Sequence, residues 1–147
     1  MTIDVNDIAT DVDLDDELGG QTTSGITLRP RAWSSCQPAR QFALDGMLKL
    51  FDRVYPAIGE AQVLAYSPTN GVGGIAALKD GVVWGAAARL YWLAMTSGSQ
   101  GALFYELNRG YEKRFADEVR RLADAINKAR CPDPQRRGRR SISIGRR

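Results

Sequence analysis

Apolar positions in the second half of the chain recur at helical intervals. Across residues 102–129, Phe104, Leu107, Tyr111, Phe115, Val119, Leu122 and Ile126 follow one another at steps of three or four. That spacing puts them on one face of a helix with about 3.6 residues per turn. Arg109, Lys113, Arg114, Asp117, Arg120, Arg121 and Asp124 fall between them and face water. The preceding stretch, residues 78–96, is apolar almost throughout and has no polar stripe, so more of its circumference must be covered. Residues 97–101 (SGSQG) join the two by a turn short enough to make them antiparallel neighbours. The pattern predicts a helical hairpin on which the rest of the fold is organised, and nothing on it reads as a reaction centre.

Upstream, residues 38–55 predict a further helix. Phe42, Ala43, Met47, Leu50, Phe51 and Val54 form its stripe, with Arg40, Asp45, Lys49, Asp52 and Arg53 off it. Ser34 or Ser35 is placed to cap this helix, Pro38 suits its first turn and Pro56 ends it. Within residues 56–77, AQVLAY reads as a strand, and Asn70-Gly71 is the strongest hairpin signal in the chain. Residues 75–78 either pair with that strand or open the next helix, and a short two-stranded flap is expected. Residues 2–18 carry only sparse apolar positions: Ile3, Val5, Ile8, Val12, Leu14 and Leu18. Alone they bury too little to offset their ordering entropy, so they read as a weakly structured arm. Residues 19–30 (GGQTTSGITLRP) read as a linker. The expected fold class is mainly α: a small helical bundle built on an antiparallel hairpin, with a β-hairpin flap and extended arms. Its expected organisation is an acidic arm and linker over 1–37, the bundle over 38–130 and a basic arm over 131–147.

Charge sharpens the contrast between the ends. The first 28 residues hold seven acidic side chains and no basic one, whereas the last 18 hold seven arginines against Asp133 alone. The formal net charge of +3 hides this dipolar layout, which is typical of segments that meet partners. At 147 residues the chain suits a single domain with a real core. Cys36 and Cys131 have no CxxC spacing, and with no histidine in the chain no zinc set can be completed. Two free thiols in a reducing compartment are expected. No secretion signal opens the sequence, and the uncharged runs 61–78 and 90–105 are broken by turn residues before they could span a bilayer. A soluble protein, assembled inside a cell and without a membrane partner, is expected.

The absence of histidine removes the usual base of serine and cysteine triads. Asp13, Asp15, Asp16 and Glu17 lack the glycine and ligand spacing of a calcium loop, and they read as a solvated or partner-facing segment. Gly71-Val72-Gly73-Gly74 has no Lys-Ser/Thr after it to make a phosphate loop. No catalytic residue, cofactor or metal site is therefore expected. Trp84 and Trp92, eight apart on the apolar helix, read as core, and Trp33 as an anchor on a neighbouring subunit. At the carboxy-terminal end, Arg136, Arg137, Arg139, Arg140, Arg146 and Arg147 enclose Ser141, Ile142, Ser143 and Ile144. Three uses are open to this segment. Its arginines suit phosphate neutralisation. Its alternation suits strand addition to another protein's sheet edge, with arginine–carboxylate pairs alongside. The third is a purely solvated tail.

The order of an amphipathic helix (ARQFALDGMLKLFDRVYPAIGEA), a glycine-containing connection, a helix VVWGAAARLYWLAMT and a long charged helix ending in a basic tail resembles the head-to-tail adaptor proteins of tailed bacteriophages. These are also called head completion or connector proteins and occur in gene transfer agents. The resemblance covers roughly residues 38–129 and rests on helix order and texture. It implies a virion neck protein, assembled in the host bacterial cytoplasm, that forms a homo-oligomeric ring, commonly a dodecamer, beneath the portal. It also implies that residues 136–147 dock into the portal protein. The opposite face would receive the next neck or tail protein, a stopper or tail terminator. DNA would pass through the channel without sequence-specific binding. Trp33, Asp13, Asp15, Asp16 and Glu17 are then candidates for contacts between subunits. The rival expectation is a small DNA-binding or packaging protein that uses the arginine-rich tail.

Overall fold

The structure, a computed structural model, describes residues 3–18, 29–30, 32–96 and 101–130. Its α-helices are α1 (Asp11–Leu18), α2 (Gln37–Arg53), α3 (Glu60–Ala65), α4 (Lys79–Thr96) and α5 (Gly101–Arg130). Single 3-10 turns at Val5–Asp7 and Gly74–Leu78 precede α1 and α4. The described part of the chain is mainly helical, and no strand occurs among the described residues.

The expected flap is thus corrected. Ala61, Gln62 and Leu64 are good helix formers, and the side chain of Gln62 reaches back to accept the Gly59 N–H at 2.8 Å. Val63 is left as the buried residue of the one short helix that results, α3. The Asn70-Gly71 turn does form, with Gly71 at φ +111°, but it links α3 to the turn before α4. The dipeptide signals a reversal, and the flanking residues decide what is reversed.

α4 is the central element. Val82, Val83, Ala86, Ala87, Leu90 and Tyr91 are all buried, so the helix is covered on more than one side. α5 packs against it antiparallel. Asn108 of α5 donates to the Ala88 carbonyl at 2.8 Å, and Tyr91 meets the ring of Phe104 at 5.4 Å. Residues 97–100, which hold most of the expected turn, lie outside the described residues. α2 approaches α4 at Gly85. A Cβ placed there would sit 2.7 Å from the Ala43 Cβ and 2.7 Å from the Phe115 ring, so α2, α4 and α5 meet at a point where only hydrogen fits.

The amino-terminal segment differs most from expectation. Ile3, Val5, Ile8, Ala9, Leu14 and Leu18 join the same buried cluster as Met47, Phe51, Leu90 and Ile126. Each fully buried Val or Leu contributes about 1.5–3 kcal/mol, which the segment cannot gain in isolation. The reading of residues 3–18 as a weakly structured arm is therefore corrected: they are part of the bundle's core. Local signals help. Thr10 Oγ1 accepts the Asp13 N–H at 3.4 Å while Asp13 Oδ2 accepts the Thr10 N–H at 2.9 Å, a reciprocal cap that starts α1.

Asp11 then fastens α1 to α2. Its carboxylate accepts the Cys36 N–H at 3.1 Å, so the expected capping by Ser34 or Ser35 is largely replaced by a carboxylate from elsewhere in the chain. Ser35 Oγ still accepts the Gln37 N–H, at 3.2 Å. Asp11 Oδ1 also meets Arg40 Nη2 at 3.0 Å. Arg40, placed off the apolar stripe by the sequence pattern, is only 4% exposed. Its Nη1 donates to the Ala9 carbonyl at 2.7 Å and to Asn6 Oδ1 at 2.8 Å. A buried guanidinium needs such partners, because desolvation of an unpaired one is very costly.

Two stability measurements check this packing. Asp11→Ala strands the buried Arg40 and should lower unfolding free energy by about 3–5 kcal/mol in urea titrations. Gly85→Ala forces α2 or Phe115 to shift and should cost about 1–3 kcal/mol.

Candidate functional site: an aromatic and arginine groove

Where α2, α4 and α5 diverge from their close approach at Gly85, they leave a cavity of about 230 Å³. Ala43, Gly46, Gly85 and Ala88 contribute small side chains or none to it, with Phe42, Trp92 and Phe115 around them. Trp92 is 41% exposed, so its expectation as a core residue is corrected, and Phe42, on the apolar stripe of α2, is 54% exposed. Each lies on the flank of its helix where the neighbouring helices no longer cover it.

Arg89 stands between these two rings, its Cζ 4.2 Å from the centroid of Phe42 and 5.0 Å from that of Trp92. Such contacts are worth about 0.5–1 kcal/mol at exposed sites, enough to orient a guanidinium without neutralising it. Beyond Trp92 the surface continues over Met95, Tyr105 and Arg109. Arg109 Nη1 donates to Tyr105 Oη at 3.0 Å and also lies over its ring. Glu106 and Glu112 border the same surface. Buried Asn108 lines the groove and donates to the Ala88 carbonyl.

On another side of the bundle, Glu118 is buried and held by Arg121 through bonds of 2.9 and 2.7 Å. Both residues line a polar cleft with Lys79, Asp80 and Tyr66. The alternating charges of this cleft select no single ligand.

Two of the acidic residues expected at subunit contacts, Asp13 and Glu17, have cationic partners within the fold. Asp13 Oδ1 meets Lys79 Nζ at 3.2 Å. Glu17 Oε2 accepts the Tyr111 hydroxyl at 3.0 Å and lies 3.5 Å from Arg114. Asp15 is half-buried, whereas Asp16 is exposed. Trp33 is half-buried and packs against the bundle's own core. The structure therefore brings Asp13, Glu17 and Trp33 onto the bundle itself. Arg136, Arg137, Arg139, Arg140, Ser141, Ile142, Ser143, Ile144, Arg146 and Arg147 lie outside the described residues. Among the described residues, no three potential metal ligands are grouped closely enough to hold an ion. No helix among them is long and apolar enough to cross a membrane.

Titration follows burial. Desolvation, reinforced by the charge of Asp11, pushes the Cys36 thiol up to about 11. Desolvation and the bond to Glu17 push Tyr111 up to about 12. The Thr10 backbone N–H holds Asp13 below the usual carboxylate value, with Lys79 assisting. At neutral pH Cys36 is a buried thiol and not a thiolate nucleophile. The exposed aromatics and oriented guanidinium groups of the groove are of the residue types enriched at protein interfaces.

The raised Cys36 and Tyr111 values carry a sign. The unfolded chain ionises first, so their stability contribution is complete below the unfolded pKa values and is lost as pH rises through the folded ones. Urea midpoints should fall above pH about 9, the ordinary thiol range, and Cys36→Ala should fall less steeply between about 9 and 11. In a Cys131→Ser background, Cys36 should resist alkylation at pH about 7.5 until denaturant is added.

Comparison with protein-family models, with curated proteins and with solved structures finds no match to this chain.

Proposed function

We propose that the chain is a non-enzymatic structural virion protein, the ring-forming head-to-tail adaptor of a tailed phage or gene transfer agent. One observation carries the reading: a tightly packed helical block displays Phe42, Arg89 and Trp92 on its surface and leads at residue 131 into an arginine-rich segment. A block with an exposed aromatic–arginine face suits repeated association with like blocks. A heterologous contact that closes on itself makes a ring. The helix order and texture of residues 38–129 support the same reading. In this scheme residues 136–147 dock into the portal, the opposite end receives the next neck or tail protein, and DNA passes through the centre.

Electron microscopy of purified particles tests it. The expected result is a ring of this chain between portal and tail, and particles without this chain would overturn the reading. Deleting residues 136–147 should leave the melting temperature of the free protein unchanged and remove the protein from particles. The rival DNA-binding reading predicts instead that the same deletion abolishes salt-dependent binding to duplex DNA.

A further inference from the structure

α4 presents two different surfaces to the rest of the molecule. α1 lies along the side that carries Lys79 and Val83, where Asp13 pairs with Lys79. The groove is built on the side that carries Gly85, Ala88, Arg89 and Trp92. Two positions along an α-helix correspond to about 200° of rotation, so Val83 and Gly85 point in nearly opposite directions. The acidic helix and the aromatic groove consequently lie on opposite flanks of the protein.

The two flanks match in chemistry. On α1, Val12 is 67% exposed and offers an apolar side chain outward. Asp16, four residues on, shares its helix face, is exposed and pairs with no cation among the described residues. Across the molecule, Arg89 is held between two aromatic rings and pairs with no carboxylate among the described residues. The groove beside it is floored by small residues.

We propose that the groove receives the α1 face of a second copy of this chain. Val12 of one copy enters the cavity between Phe42, Gly46 and Phe115 of the next, and Asp16 pairs with Arg89. The charge pattern favours this occupant over nucleic acid. Glu106, Arg109, Glu112 and Lys113 balance in sign around the groove and form no basic stripe of the kind that holds nucleic acid, whereas a single outward carboxylate suffices to answer Arg89. Because the two faces differ and lie on opposite flanks, the contact is heterologous, and every copy can accept one neighbour while offering its α1 to another. The inference rests on the ring-subunit reading and names the surfaces that reading leaves open.

Sedimentation velocity of the full-length protein, from micromolar to millimolar concentration, tests the contact. Wild type should associate. Arg89→Glu and Asp16→Arg should each weaken association at least about tenfold, and the double variant should recover most of the loss. Phe42→Ala removes one wall without altering charge and should weaken association while far-UV circular dichroism stays unchanged. Reversals without effect, a double variant that fails to recover, or a chain monomeric at every concentration would each overturn the proposal. If particles nonetheless carry a ring, the adaptor reading stands and only this contact is wrong. If particles lack the chain, the adaptor reading fails, and the solution result still decides the contact.

Discussion

A helix without a polar stripe must be covered over most of its circumference, and α4 is such a helix. α2 and α5 cover part of it, meeting where Gly85 leaves room for no more than a hydrogen. The remaining surface needs further apolar material, and the amino-terminal segment supplies it. Val5, Leu14 and Leu18 enter the shared core, and Asp11 fixes their register by holding Arg40 and the start of α2 together. That pair is buried on the arginine side, so sliding the segment would leave a desolvated cation unpaired.

The acidic end of the chain changes meaning in this light. Asp11, Asp13 and Glu17 are answered within the fold by Arg40, Lys79 and Arg114. Part of the apparent dipole of the chain is therefore neutralised internally, and Asp16 is left as an outward charge on α1. On the opposite flank, Arg89 is oriented by rings and forms no ion pair among the described residues. What remains outward on these two flanks is a carboxylate on one and an aromatic-flanked guanidinium on the other.

The pattern of residues 102–129 predicted the inward face of α5 well. Val119, Leu122 and Ile126 are buried, Phe104, Leu107, Tyr111 and Phe115 are half-buried, and the intervening charges are exposed. Glu118 and Asn108 escaped the pattern, because each is buried through a polar contact that periodicity cannot detect. The candidate groove was less legible. Phe42 and Trp92 carry the same signal as core residues, and exposure depends on where neighbouring helices stop. The reciprocal cap of Thr10 and Asp13 was present in the sequence as a helix-start signal, with aspartate in place of the usual glutamate.

By itself, then, the sequence determined the helical class, the extents of the long helices and the inward stripe of α5, since these depend on local spacing and propensity. Tertiary structure alone decided that residues 3–18 belong to the core, that Arg40 is buried and that Trp92 is not. It also turned the Asn70-Gly71 reversal into a link between helices. Each of these depends on which surfaces remain uncovered once α4 has its first two neighbours, a quantity set by packing in three dimensions and absent from any local window of residues.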